Sequence, residues 1–147
     1  MIERDDMIKG WDTAWQSGLW AAPWSRALEG LTAQQAAWRP GPQRHSIWQS
    51  VYHLLFWRDV TLRQTRGEPR PDDAETERRN WEEPTDMSPA AWQKIVDRYE
   101  ASHQEMLQAL RTADRELMRF LYHLFHDNYH VGQIMQLRAL QGLAPIE

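Results

Sequence analysis

The sequence predicts an all-α protein, a four-helix bundle with up-down-down-up order, and three observations lead there. Apolar residues recur at three- and four-residue spacing in four long stretches, the period of one buried helix face. These stretches open on capping residues, and three of the four close at glycine or proline. Two of the connections between them, those joining helices one to two and two to three, are long, and the last is a short turn.

The first helix is expected to start near Asp5 or Asp6, whose carboxylates suit the positive end of a helix. Ile8, Trp11, Trp15 and Leu19 form its stripe, and Pro23 ends it. Residues 24–45 connect it to the second helix. Within them Thr32-Ala33-Gln34-Gln35 has the form of a capping box, predicting a brief helix through about Trp38 before Arg39-Pro40-Gly41-Pro42 breaks it. His45 falls at the end of this connection, where it can cap, meet solvent or rim a pocket.

Ser46 caps the second helix, which runs from about Ile47 to Arg66 before Gly67. Its middle, Val51 to Trp57, is apolar almost all the way round, so neighbours are expected on several sides. His53 lies in that run, with Gln49 and Trp57 one turn away. A histidine there serves either as a hydrogen-bonded core residue or as a ligand. Residues 67–87 are rich in Pro, Asp, Glu and Arg, a connection long enough for a crossover or a lid. Trp81, an aromatic in this polar segment, is expected to dock against the body.

Ser88-Pro89 opens the third helix, with Trp92, Ile95, Val96, Tyr99, Met106, Leu107 and Leu110 as its stripe. His103, beside Ser102 and Gln104, reads as structural or exposed. Arg111-Thr112-Ala113-Asp114 forms a short turn, with Asp114 as the cap of a fourth helix over about 115–141 and Gly142 as its left-handed end. Leu117, Phe120, Leu121, Leu124, Val131, Met135 and Arg138 share its broad inner face. In this order helices two and four are antiparallel.

Composition narrows the function. With 147 residues, 41% hydrophobic and 26% charged, the chain holds one domain, residues 1–147, with a real core. A net charge of −4 with scattered Lys and Arg offers no basic stripe for nucleic acid. No run of 18 apolar residues exists to span a membrane, and the acidic start Met-Ile-Glu-Arg-Asp-Asp is no signal peptide. The absence of cysteine removes disulfides, thiolate ligands and a cysteine nucleophile together, and fits a cytoplasmic location.

The chemistry concentrates in Tyr122 to Ile134, where three histidines fall within eight residues. His126 and His130 stand one turn apart on one face. With helices two and four adjacent, His53 joins them, and three imidazoles make an open site whose remaining positions take water or substrate. Zinc, nickel, iron or copper all suit imidazole. With no anionic ligand the ion keeps its double charge and lowers the pKa of a bound water or thiol. His123 with Asp127 is a rival pair, and Tyr122 is placed to line the same pocket. Gly132, inside a helix, reads as a point of close backbone approach, and Gln133 as support for an imidazole N–H.

The pieces Leu31-Thr32 through Trp38-Arg39-Pro40, His45-Ser46-Ile47-Trp48 with His53, Asn80-Trp81, and above all His126-Asp127-Asn128-Tyr129-His130-Val131-Gly132-Gln133-Ile134 resemble the DinB-like (YfiT-like) superfamily of four-helix-bundle metal-dependent proteins. The resemblance implies that His53, His126 and His130 bind a divalent metal, often zinc or nickel, and that homodimers are frequent. It implies a small-molecule substrate such as a low-molecular-weight thiol, in a thiol transferase or hydrolase-like reaction, or a metal-binding, stress-related module without turnover.

Overall fold

The computed structural model describes residues 2–146. Six α-helices and one 3-10 turn, Trp24–Arg26, make up the regular structure of these residues, with no strand among them. The helices are α1 (Arg4–Gln16), α2 (Ala33–Ala37), α3 (Ile47–Thr65), α4 (Asp73–Arg79), α5 (Pro89–Thr112) and α6 (Leu117–Leu140). Both α1 and α3 pack against α5 and α6, while α2 lies on α3 and α5.

Helix α3 is the central element for the reason its sequence predicts. Ile47, Trp48, Val51, Leu54, Phe56 and Val60 are all buried, and together they leave no single outward face. Its start is a full capping box. Ser46 Oγ accepts from the Gln49 N–H at 3.1 Å, and Gln49 Oε1 accepts from the Ser46 N–H at 3.1 Å. Along α3, His53 faces His126 and His130, Arg58 faces Asp127 and Thr61 faces His123, so α3 and α6 run antiparallel.

The aromatic wealth ties the elements together through polar tips. Trp11 Nε1 donates to the Phe120 carbonyl, Trp92 Nε1 to the Leu31 carbonyl and the Tyr99 hydroxyl to the Trp24 carbonyl, each at 3.0 Å. Arg4 of α1 donates to the carbonyls of Leu110, Arg111 and Ala113, which close the end of α5. Those carbonyls have no partner within their own helix, and a guanidinium satisfies them where the helix dipole favours a cation.

Three expectations need correction. Helix α1 stops at Gln16, well before Pro23. Gly18 turns the chain at φ 65, where a Cβ would collide with the Ala21 carbonyl, and this turn leaves Leu19 on the surface rather than in the stripe. The connection 67–87 contains α4, a short helix capped by Asp72, whose side chain accepts from the Glu75 N–H at 2.8 Å. It buries no residue, so no apolar period announces it. The residue before α6 is Glu116 at φ 60, not Asp114, and it makes no side-chain cap. Its carboxylate instead accepts from Arg119 at 2.6 Å. Of the two readings of His103 the structural one holds: it is fully buried against Trp15, ring centroids 4.1 Å apart and nearly parallel.

Candidate metal centre

Two helices bring the three predicted histidines to one point. His53 projects from the buried middle of α3, and His126 and His130 project from α6 one turn apart. Their ring centroids lie 5.1, 4.4 and 4.6 Å from one another. One ring nitrogen of each can be chosen so that all three fall within 4.8 Å, a grouping able to hold a metal ion. Nε2 of His53 and Nε2 of His126 are 3.1 Å apart.

The other nitrogen of each ring is held by an oxygen, which decides the tautomer. His53 Nδ1 donates to Asn80 Oδ1 at 2.7 Å. That oxygen also accepts from Trp57 Nε1 at 2.9 Å, and since an indole N–H can only donate, the amide orientation is settled. His126 Nδ1 donates to Asp127 Oδ1 at 2.9 Å, and His130 Nδ1 to Gln133 Oε1 at 2.7 Å. Each imidazole therefore carries its proton outward and turns a bare Nε2 lone pair inward.

Burial favours the neutral form of His53 and His130. It pushes His53 down to about 3, helped by the neighbouring His130 and His126 and opposed by the bonds to Asn80. Burial lowers His130 as well, with the nearby His126 adding to it. With both Nδ1 protons turned outward, the Nε2 atoms of His53 and His126 at 3.1 Å have no proton to share, and their lone pairs repel unless a cation lies between them. The spacing agrees with the roughly 3.0–3.4 Å between imidazole nitrogens that share one ion at about 2.0–2.1 Å. The donor set fits a divalent transition metal.

A model of the DinB superfamily matches residues 22–137. The chain belongs to the DinB superfamily. The match begins after α1 and takes in His53, His126 and His130. No curated protein and no solved structure matches the chain.

In this DinB-superfamily chain the rival pair, His123 with Asp127, is present as a contact. His123 Nδ1 donates to Asp127 Oδ1 at 3.0 Å, and with His126 these residues form a second grouping able to hold an ion. Asp127 is already engaged, however. Arg58 Nε donates to its Oδ2 at 2.8 Å, with both side chains fully buried. Burial pushes the Asp127 carboxyl up, but the Arg58 charge and the bonds from His123 and His126 outweigh it and hold the group well below the usual carboxylate range. The far nitrogen of His123 lies 2.9 Å from Thr61 Oγ1. Asp127 thus acts as the support of His126, and Arg58 as the support of Asp127, an assignment that no spacing in α3 announces.

Trp81 docks as expected, and the place it chooses matters. Its indole is sandwiched between His45 and His53, centroids 3.9 Å away on both sides and nearly parallel. It covers one face of His53 and sets His45 at the rim. Tyr122 is exposed and lines a cleft of about 200 Å³ with Trp57, Arg119, His123 and His126, so it borders the three histidines at His126. Asn80 enters the sequence reading only with Trp81 as a piece of the resemblance, and its bond to His53 is not announced there because a lone asparagine in a polar connection carries no periodic signal. Gly132 is also unlike its expectation: it is exposed, and a Cβ there would meet nothing within 4 Å.

Proposed function

We infer that this DinB-superfamily chain works with one divalent ion held by His53, His126 and His130, and that it activates a small thiol or a water at that point. The observation that carries the reading is the shared tautomer, three N–H groups anchored on Asn80, Asp127 and Gln133 with three Nε2 lone pairs converging. Zinc and nickel come first for three imidazoles, iron after them. With no anionic ligand in the trio, the bound ion would lower the pKa of a coordinated water or thiol toward neutrality.

The chain's own residues bind and orient. Asn80 fixes the ring plane of His53, Gln133 that of His130, and the buried Arg58–Asp127 pair that of His126. Trp81 keeps water from one face of His53. The chain has no cysteine, so a reacting thiol arrives with the substrate, and this composition supports a reducing, cytoplasmic setting. The contacts between the long helices support the up-down-down-up, YfiT-like bundle.

Metal analysis of untagged protein is expected to find about one divalent ion per chain, and His53→Ala to lose it; no ion after supplementation overturns the reading. The metallated protein is then screened for thiol transfer to electrophiles and for hydrolysis, with and without chelator. Activity indifferent to chelation is incompatible with this mechanism. A module without turnover is the second reading, favoured by the burial of His53 and His130 beneath Trp81, which narrows the approach. Metal binding with no activity in the screen selects it.

A further inference from the structure

The cleft beside His126 takes one aromatic wall from each of two helices. Trp57 of α3 stands one turn after His53, and its Nε1 is tied to Asn80 Oδ1 at 2.9 Å, which fixes the ring. Tyr122 of α6 stands one turn before His126 and is 60% exposed. Its hydroxyl has no hydrogen bond among the described residues. His123 and His126 complete the apolar lining. Their ring nitrogens are committed elsewhere, to Asp127, to Thr61 and to the inward position opposite His53, so these rings offer the cleft mainly carbon.

The cation of this cleft is Arg119, in the first turn of α6, and no carboxylate lines it. Arg119 Nε donates to Glu116 Oε2 at 2.6 Å, and neither Nη has a hydrogen bond among the described residues. Glu116 thus takes the Nε side of the guanidinium and leaves open the edge between the two Nη groups, which fits the two oxygens of a carboxylate. Arg119 and His126 are seven residues apart, about 10 Å along the helix. The volume of about 200 Å³ lies below the roughly 300–1,000 Å³ of pockets for drug-sized ligands, so the occupant is small.

We propose that this cleft receives the non-reacting end of the substrate, and that the substrate is a small, flat aromatic carboxylate. Its ring packs on Trp57 and Tyr122, its carboxylate takes the two Nη groups of Arg119, and its other end lies at His126. Each part of the ligand answers one feature of the cleft. The ring matches the aromatic walls, the charge matches the guanidinium, and the size matches the volume. An uncharged ring forgoes Arg119, and a saturated ring forgoes the stacking. Glu116 competes with the ligand for Arg119 and so sets how tightly an anion is held. That the cleft serves a reaction rests on the metal reading given above; its affinity for the anion does not.

Benzoate is the probe. Added to the untagged, metal-free chain, it is expected to shift the Trp57 indole and Tyr122 ring signals in NMR spectra, with a Kd of about 1 mM. Benzamide, flat but uncharged, and cyclohexanecarboxylate, charged but not flat, should each bind at least about fivefold more weakly. Arg119→Gln should weaken benzoate binding about tenfold. Tyr122→Ala, at an exposed position, should weaken it several-fold with an unchanged circular dichroism spectrum. Glu116→Gln removes the competitor and should strengthen binding several-fold, a gain that a damaged fold does not produce. No shift at the two rings up to about 20 mM benzoate overturns the proposal, as does an affinity that neither Arg119→Gln nor Glu116→Gln changes. In the zinc-loaded chain, 4-mercaptobenzoate should bind about tenfold more tightly than thiophenol, and Arg119→Gln should abolish that preference. An equal preference in both chains overturns the link to the reaction. Failure of every chain to bind zinc counts against the metal reading instead, and benzoate alone then decides the cleft.

Discussion

At the scale of single residues, Asp127 carries more of the site than any histidine. Its two fully buried oxygens take Arg58 on one side and both His123 and His126 on the other. The Arg58 guanidinium is itself enclosed, 5.8, 5.8 and 5.2 Å from the ring centroids of Trp11, Trp24 and Tyr99. Asp127→Asn removes the compensating charge from a buried arginine, and a loss of about 3–5 kcal/mol is expected in urea unfolding. Metal affinity should fall about 10–100-fold in the same variant, measured by competition with a chromophoric chelator. His103 poses the opposite case. It is fully buried and neither ring nitrogen has a hydrogen bond among the described residues. Burial lowers it to about 3, the Arg58 charge adds to this and Asp127 opposes it. Between 6.5 and about 3 the unfolded chain takes up a proton that the folded chain refuses. The stability present above 6.5 therefore drains as pH falls through that window. His103→Phe is expected to stabilise the fold by about 1–2 kcal/mol at neutral pH, by removing two unpaired polar atoms. Its advantage over wild type should widen on acidification, as followed by urea titrations at a series of pH values.

At the scale of elements, α4 does what its exposed surface does not advertise. Asp59 and Arg63 of α3 form a network with Glu75 and Arg79 of α4, with separations of 2.7–3.2 Å. Arg79 also lies over the Phe56 ring. Beyond the next loop Arg39 pairs with Glu83 at 2.6 Å. Between these two attachments sit Asn80 and Trp81, the residues that hold and cover His53. Glu75→Gln is expected to lower stability only slightly in urea unfolding, because each pair is partly exposed, and the difference should shrink in about 1 M salt. Asn80→Ala takes the Oδ1 acceptor from both His53 Nδ1 and Trp57 Nε1, leaving His53 only the residue-80 carbonyl at 3.3 Å. A drop in metal affinity of about 10–100-fold follows, read by the same competition assay.

At the scale of the whole molecule, a ligand that bridges α3 and α6 joins distant parts of the chain. Such a ligand binds only the folded state, so its affinity becomes stability. A free ion at about a thousand times its Kd is expected to add about 4 kcal/mol, and a chelator to remove it. Thermal unfolding with zinc, with chelator, and for His53→Ala checks this, the variant showing no shift.

Local pattern by itself determined a good deal of this. The 3.6-residue period marks four long helices, the capping boxes at Thr32 and Ser46 mark two helix starts to the residue, and His126 and His130 share a face because helix geometry allows nothing else. Periodicity also names His53 as buried. It is silent on what reaches these residues from outside their own helix. Asn80, Arg58 and Trp81 arrive from other elements, and nothing in a one-dimensional pattern records which face meets which. Gly132 shows the same limit, since a glycine inside a helix signals close approach and open space alike. His126 and His130 take Asp127 and Gln133 from α6 itself, but only the packing that brings Asn80, just after α4, against α3 decided which nitrogen of His53 faces inward. That is a matter of hydrogen-bond partners in space, and chain order does not carry it.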